Sequence, residues 1–410
     1  MPIVLTLGPF ALGYLMSYLL RAVNAVVGPD LVRDIGLDAG GLGLLTAAYL
    51  LTFAAFQIPL GVLLDRYGPR RVQTVLFIIA ALGCGLFALA ESALTLTLAR
   101  GLIGLGFAGG LMSGFKAVVL NVAPERRALA NACIMAFGGL GIVLATSPTE
   151  WAVAAFGWRN VFLGFAAWIL ASAALIFLLV RERPVTGPVV SFGEQIDGVR
   201  RIYANADFWQ VGPLSMLTAG AHVGLQTLWA GPWFRDVAGY DRGEVADALF
   251  LMGVAFLIGI LFSGVVADRL VRRGVHILIV MFGFLAVFIA SEVPIMMGWT
   301  SLALPAWFIF AMTGQASILA YPWLSSHFGA GLAGRTNTAI NLLTFAFGFA
   351  LQYLIGLILD VFPVSPAGGY DPRGYQIGFA LVVAAQLASA VWFLAGARRL
   401  TTPANQPSAP

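Results

Sequence analysis

Apolar residues follow one another along this chain in long unbroken runs, not in the stripes of a surface helix. Bounded by charges or turn residues, twelve runs emerge near positions 4–29, 41–64, 72–90, 94–119, 128–150, 158–180, 207–232, 244–267, 275–297, 301–322, 335–359 and 375–396. A bilayer core about 30 Å thick needs about twenty apolar residues per helix, so each run has the length of a membrane span. Barrel strands would be short and alternating, which excludes that architecture. The divisions near Glu91 and Glu292 rest on very short loops.

The polar segments then divide the runs. Arg181 to Ala206 is the longest internal polar stretch and carries Pro184, Gly187, Pro188 and Gly193, so it separates two six-helix halves, 1–180 and 207–400. Within this linker Phe192, Ile196, Val199 and Tyr203 recur at helical spacing, predicting a short amphipathic helix on the membrane surface. The tail, 401–410, is polar and proline-containing and is expected to be disordered. The fold expected is an all-α integral membrane protein: twelve transmembrane helices in two pseudo-symmetric six-helix bundles.

Composition agrees with a bilayer solvent: hydrophobic residues make up 60% of the 410 positions and charged residues 10%, far below the roughly 25% of a soluble domain. The charges that remain are unevenly placed. Alternate loops collect sixteen of the 23 basic residues on one side, while the other side holds Arg33, Arg159, Arg235, Arg242 and Arg373. The positive-inside rule puts the basic side and both termini in the cytoplasm, in the inner membrane of a bacterium-like cell. The two remaining cations, Arg21 and Arg100, lie inside spans. No basic segment precedes the first span, which reads as a retained helix and not as a signal peptide.

The basic side also carries a repeat. "GVLLDRYGPRR", Gly61 to Arg71, follows the second span of the first half, and "GVVADRLVRR", Gly264 to Arg273, follows the second span of the other. "RALANACIMAF" from Arg127 and "RTNTAINLLTF" from Arg335 echo each other in the same way, as expected of a duplicated six-helix unit. With "RGLIGLG", Arg100 to Gly106, these segments resemble the signatures of the major facilitator superfamily, and the resemblance covers the whole chain. It implies a transporter that alternates between inward-open and outward-open states around a cavity lined by helices 1, 4, 7 and 10. It also implies a gating latch at Gly61, Asp65, Arg66, Gly68 and Arg70, with a weaker copy at Asp268 and Arg269, in which Asp65 accepts hydrogen bonds from the N-terminus of helix 11. Gly61 would then permit close helix contact.

Intramembrane polar residues mark the candidate binding site, because charge in lipid is costly and faces a cavity or a partner. Tyr14, Tyr18 and Arg21 share one face of helix 1, with Asn24 nearby. "YLLRAVNAVVGPDL" resembles helix 1 of the organic-anion branches, in which an arginine at this place meets an anionic substrate; Leu20 stands where several proton-coupled members have an acid. Arg100 is the second candidate, with a structural bond to a neighbouring carbonyl as its alternative role. Helix 7 offers a column of Thr218, His222, Gln226 and Trp229, while Gln315 and Tyr321 add polar groups on helix 10. Asn337, Asn341 and Thr344 form a shorter column on helix 11.

Glu150 is the carboxylate placed at a cavity edge, with an interfacial carboxylate on the extracellular side as its alternative role, which leaves His222 and Glu150 as the candidate proton carriers. No acid of the helix interiors is expected to neutralise Arg21, so exchange or uniport is favoured over proton symport. Histidines without HExxH spacing and the absence of a P-loop lysine motif leave neither zinc hydrolysis nor ATP-driven pumping with support. No enzyme, cofactor, metal or nucleic acid is implied. A small anionic solute and the lipid bilayer are the expected partners of a monomeric transporter. Efflux of an amphipathic or drug-like compound is the alternative.

Overall fold

The structure is a computed structural model that describes residues 3–180, 191–329, 332–364 and 369–401. The tail from 402 and the linker residues 181–190 lie outside the described residues. Among those described, every regular element is helical. The first half contains α1 (Ile3–Ala22), α2 (Asn24–Ile35), α3 (Ala39–Ala55), α4 (Gln57–Ala88), α5 (Ala93–Phe107), α6 (Gly110–Asn121), α7 (Pro124–Leu144), α8 (Ser147–Phe156) and α9 (Trp158–Leu179). The linker helix is α10 (Phe192–Tyr203). The second half contains α11 (Ala206–Gly224), α12 (Ala230–Asp236), α13 (Arg242–Arg272), α14 (Ile277–Met296), α15 (Ala303–Thr313), α16 (Ala320–His327), α17 (Ala333–Asp360) and α18 (Pro372–Thr401).

All twelve expected runs are helical, although helix boundaries and spans do not coincide. By length and apolarity 8 helices qualify as spans, or 10 when two bent pairs are each taken as one. Two expected runs remain: 207–232, divided among α11, the π-helical turn Leu225–Trp229 and α12, and 41–64, divided between α3 and the start of α4. Helix α4 joins two runs across Gly68, whose φ of 77° is open to glycine without strain and makes the turn into Pro69. Helix α3, 17 residues long, is short for a span by itself.

Each bend has a chemical cause. The α7–α8 pair is bent by 51° at a break before Pro148, whose missing N–H leaves the Leu144 carbonyl without its helical donor. The Thr149 hydroxyl supplies the bond instead, at 2.6 Å. The α1–α2 pair is bent by 49°, and there the Leu20 carbonyl, in the last turn of α1, accepts from Arg100 Nη1 at 2.7 Å. Both repairs satisfy backbone groups that lipid cannot.

The halves meet along two seams. In one, α3 packs along α17; in the other, α13 packs against α7 and α8. At the α3–α17 seam backbone nearly touches backbone: a Cβ on Gly43 would lie 2.7 Å from the Gln352 carbonyl oxygen, and one on Gly356 would lie 2.5 Å from that of Ala39. Side chains larger than hydrogen are therefore excluded from both positions. These contacts lie at the end of the molecule opposite the basic loops. At the basic end α10 sits between the halves, contacting both α4 and α17.

Helix α10 begins with a capping box, Ser191 and Glu194 exchanging hydrogen bonds with each other's backbone. The Ser191 bonds hold the Glu194 carboxyl below the usual carboxylate range. Val199 and Ile202 are buried, whereas Phe192 and Ile196 remain exposed.

The Thr149 repair is open to test. Thr149→Val keeps the shape of the side chain but leaves the Leu144 carbonyl, facing lipid and without its helical donor, unpaired, so it should lower unfolding stability by about 1–3 kcal/mol, read as a reduced Tm in detergent.

Candidate functional site

Between the halves lies a cavity of about 570 Å³. Of the residues singled out by sequence, it brings together Tyr14, Tyr18, Arg21, His222, Gln315 and Tyr321, and with them Asn337, Asn341 and Thr344.

Arg21 sets the character of the site. It is buried, and its guanidinium carbon lies 4.6 Å from the ring centre of Tyr18, 5.0 Å from Phe53, 5.2 Å from Phe345 and 5.8 Å from Tyr49. Three of these rings come from the first half and Phe345 from the second, so the cage spans the interface. Among the described residues no carboxylate forms an ion pair with it, and its Nε has no hydrogen-bond partner. Aromatic faces attract the cation by about 0.5–2 kcal/mol each, against a desolvation cost of several kcal/mol for a buried ion. The rings orient the guanidinium without neutralising it.

Across the cavity the second half presents hydrogen-bonding groups in a ladder. Tyr321 Oη donates to Asn341 Oδ1 at 2.6 Å and Ser325 Oγ to Asn337 Oδ1 at 3.0 Å. Each partner is one helical turn from its counterpart, so the two rungs face the same way. His222 stacks among Phe256, Phe288 and Phe310, with ring centres 5.5–6.1 Å apart, and its Nε2 lacks a partner.

Five expected members lie elsewhere, among them Thr218, which is fully buried outside the cavity lining. Arg100 is fully buried behind the site: besides its bond to Leu20, it lies 5.4 Å from the Tyr49 ring, so Tyr49 stands between the two arginines. Its structural role is the one the geometry shows. Asn24 donates to Thr46 Oγ1 at 2.8 Å and thereby ties α2 to α3. Gln226 and Trp229 fall in a π-helical turn, Leu225–Trp229, whose wider winding breaks the expected column. Trp229 accordingly donates to the Gln352 carbonyl at 3.2 Å, in the seam with α17.

The acids are also placed differently. Glu150 is not at the cavity: it is bonded to Arg242 at 2.5 Å at the end opposite the basic loops. Arg242 simultaneously grips the two oxygens of the buried Asp30 carboxylate at 2.6 and 3.1 Å. An acid does occupy a helix interior, because α14 runs through Glu292, but it does not neutralise Arg21. It is buried against Gln386 of α18, outside the cavity lining. Sequence position alone, close to a predicted short loop, concealed it.

The expected latch residues have other partners in this conformation. Asp65 is paired with Lys116 Nζ at 2.6 Å, not with the first turn of helix 11. Gly61 faces α10, where a Cβ would lie 3.1 Å from Gln195 Nε2. The linker helix α10 packs against both α4 and α17 at this end. Arg70 donates to the Phe177 carbonyl at 2.9 Å, Arg66 lies over Tyr67, and Asp268 pairs with Arg272 of its own helix.

Two helical bundles thus enclose a mostly apolar cavity with Arg21 and the polar ladder set into its wall. A family model described as Major Facilitator Superfamily matches residues 10–353, and the chain belongs to that family. It is similar to the probable sulfoacetate transporter SauU of Cupriavidus necator, 24% identical over 93% of this chain and 92% of that one. A hexuronate transporter of Escherichia coli is 26% identical over 57% of this chain and 58% of the relative. Among solved structures, a bacterial homolog of the human lysosomal transporter Spinster, inward-facing and unoccupied, superposes with a TM-score of 0.76 at 18% identity, covering 98% of both chains.

The two buried arginines should respond oppositely to loss of charge. Arg100→Met strands the Leu20 carbonyl and should lower Tm. Arg21→Met removes an uncompensated ion and should leave Tm unchanged or raise it. Thermal unfolding of both variants at equal detergent and salt provides the comparison.

Proposed function

We propose that this chain transports a small organic anion across the membrane by alternating access. The observation that carries the reading is Arg21: a buried cavity cation held by rings and given no carboxylate. An anionic solute supplies the missing counter-charge, and a carboxylate can take two parallel hydrogen bonds from a guanidinium. The ladder on α16 and α17 offers polar groups to the remainder of the solute. Relatives named for sulfoacetate and hexuronate support an acid as the substrate class.

The same reading makes this conformation inward-open. The seams close the end opposite the basic loops, and the positive-inside rule assigns the basic end to the cytoplasm. A linker helix between α4 and α17 at that end is compatible with parted halves. Asp65, bonded here to Lys116, would be free to exchange partners when that end closes, which keeps its latch role as part of the proposal. Glu150 is held in an ion pair, and His222 is left as the titratable cavity residue. Transport by exchange or uniport fits these placements, in the inner membrane of a bacterium-like cell with both termini cytoplasmic, and a monomer suffices because one chain encloses the cavity.

Binding and uptake by Arg21 variants test the proposal. Arg21→Lys keeps the charge but loses the fork, so affinity for the transported anion should fall by about 1.5–3 kcal/mol, roughly 10- to 150-fold in Kd. Arg21→Ala should reach the membrane in normal amount and transport nothing. Normal anion uptake by Arg21→Ala at equal expression would refute it.

Arg242 tests alternating access separately. It bridges α13 of one half to Asp30 and Glu150 of the other. Arg242→Gln should raise the reactivity of cavity cysteines, placed for instance at Leu111, toward an impermeant reagent added outside. Unchanged reactivity would contradict the assignment of that end as the external gate.

A further inference from the structure

The first turn of α3 is completed by the other half of the molecule. A helix begins with backbone N–H groups that have no carbonyl to bond. In α3, Gly41 N–H is taken by the Asp38 side chain at 2.7 Å, and Leu42 N–H by the Asp38 carbonyl at 2.9 Å. The other two go to Asp360, the last residue of α17: Ala39 N–H donates to its Oδ1 at 3.0 Å and Gly40 N–H to its Oδ2 at 2.6 Å. One carboxylate thus binds two consecutive donors with its two oxygens, 320 residues away in sequence.

We propose that Asp360 is an external latch: its carboxylate clamps the N-terminus of α3 while the outer end is closed and releases it when that end opens. The inference rests on the alternating-access reading and adds a residue that the signature motifs do not contain. Three features support a latch over a passive cap. The acid and the helix it caps belong to opposite halves, so separation of the halves must break both bonds. Asp360 as a residue is exposed, although its two bonds are part-buried, so water can reach the carboxylate once the donors part. Gly40 leaves room for it, since a Cβ there would lie 2.7 Å from Oδ2. The chemistry is also reciprocal to the role expected of Asp65. That residue belongs to the second helix and would bind the start of the eleventh; Asp360 ends the eleventh and binds the start of the second.

The clamp needs two acceptor oxygens and a negative charge beside the positive end of the helix dipole. Asp360→Asn replaces one acceptor with an amide donor that faces an N–H, and should favour opening. Asp360→Glu retains the charge and should restore much of the closed population.

Spin labels at Ala155 and Ser301, both exposed and on opposite halves at this end, report the separation by double electron–electron resonance in the full-length protein with Cys133 replaced by serine. The ratio of long to short distances should rise about tenfold in Asp360→Asn, the equivalent of one charge-assisted hydrogen bond. In Asp360→Glu it should return toward the parent value. Arg242→Gln serves as the independent opener. If Arg242→Gln lengthens the distance and Asp360→Asn does not, the latch is wrong and alternating access stands. If neither variant changes the distribution, the alternating-access reading fails and the latch fails with it.

Discussion

The structure is organised around a positive charge that the protein does not neutralise. Arg21 sits between the two halves inside four aromatic rings, and no carboxylate among the described residues is paired with it. Burying an ion in this way is unfavourable unless something else gains from it. Arg100, on the far side of Tyr49, adds a second buried cation to the same region and makes it more attractive to an anion. The two arginines divide the labour: one repairs the backbone at the break in helix 1, and the other faces the cavity. Because the ring cage draws on both halves, the proposed alternating access would change the environment of Arg21 and so link binding to conformational change through one side chain.

The ends of the molecule are closed by different physics. Opposite the basic loops, glycines let α3 and α17 approach until backbone meets backbone, and ions then fasten the rim: Arg242 to Asp30 and Glu150, Asp360 to the start of α3. The rim is thus held by a few discrete charge-assisted bonds, with Arg242 and Asp360 exposed and Asp30 buried, whereas an apolar seam would offer no partners to exchange. At the basic end a linker helix lies between the halves, with Gly198 placed where any side chain would run into Arg335.

Much of this was legible in the sequence because the bilayer imposes simple rules. Run length marks helices, and the duplicated polar knots after the second span of each half mark the repeat. Arg21 stood out as a charge in lipid, and its face with Tyr14 and Tyr18 survives in the cavity. What failed depended on local winding or on distant partners. A π-helical turn moved Gln226 and Trp229 off the expected face, and no helical-period argument anticipates one added residue per turn. Phe53 and Phe345 looked like ordinary span residues until the fold set them beside Arg21. Glu150 and Asp65 stood out as acids, but their partners, Arg242 and Lys116, lie 92 and 51 residues away. Asp360 carried no motif at all.

The account turns on where an anion binds. The most direct measurement is an experimental structure of the protein bound to a transported monocarboxylate. The account predicts its carboxylate within hydrogen-bond distance of the Arg21 guanidinium, inside the Tyr18–Phe53–Phe345 cage. A carboxylate bound elsewhere, with Arg21 still enclosed by rings alone, would contradict it.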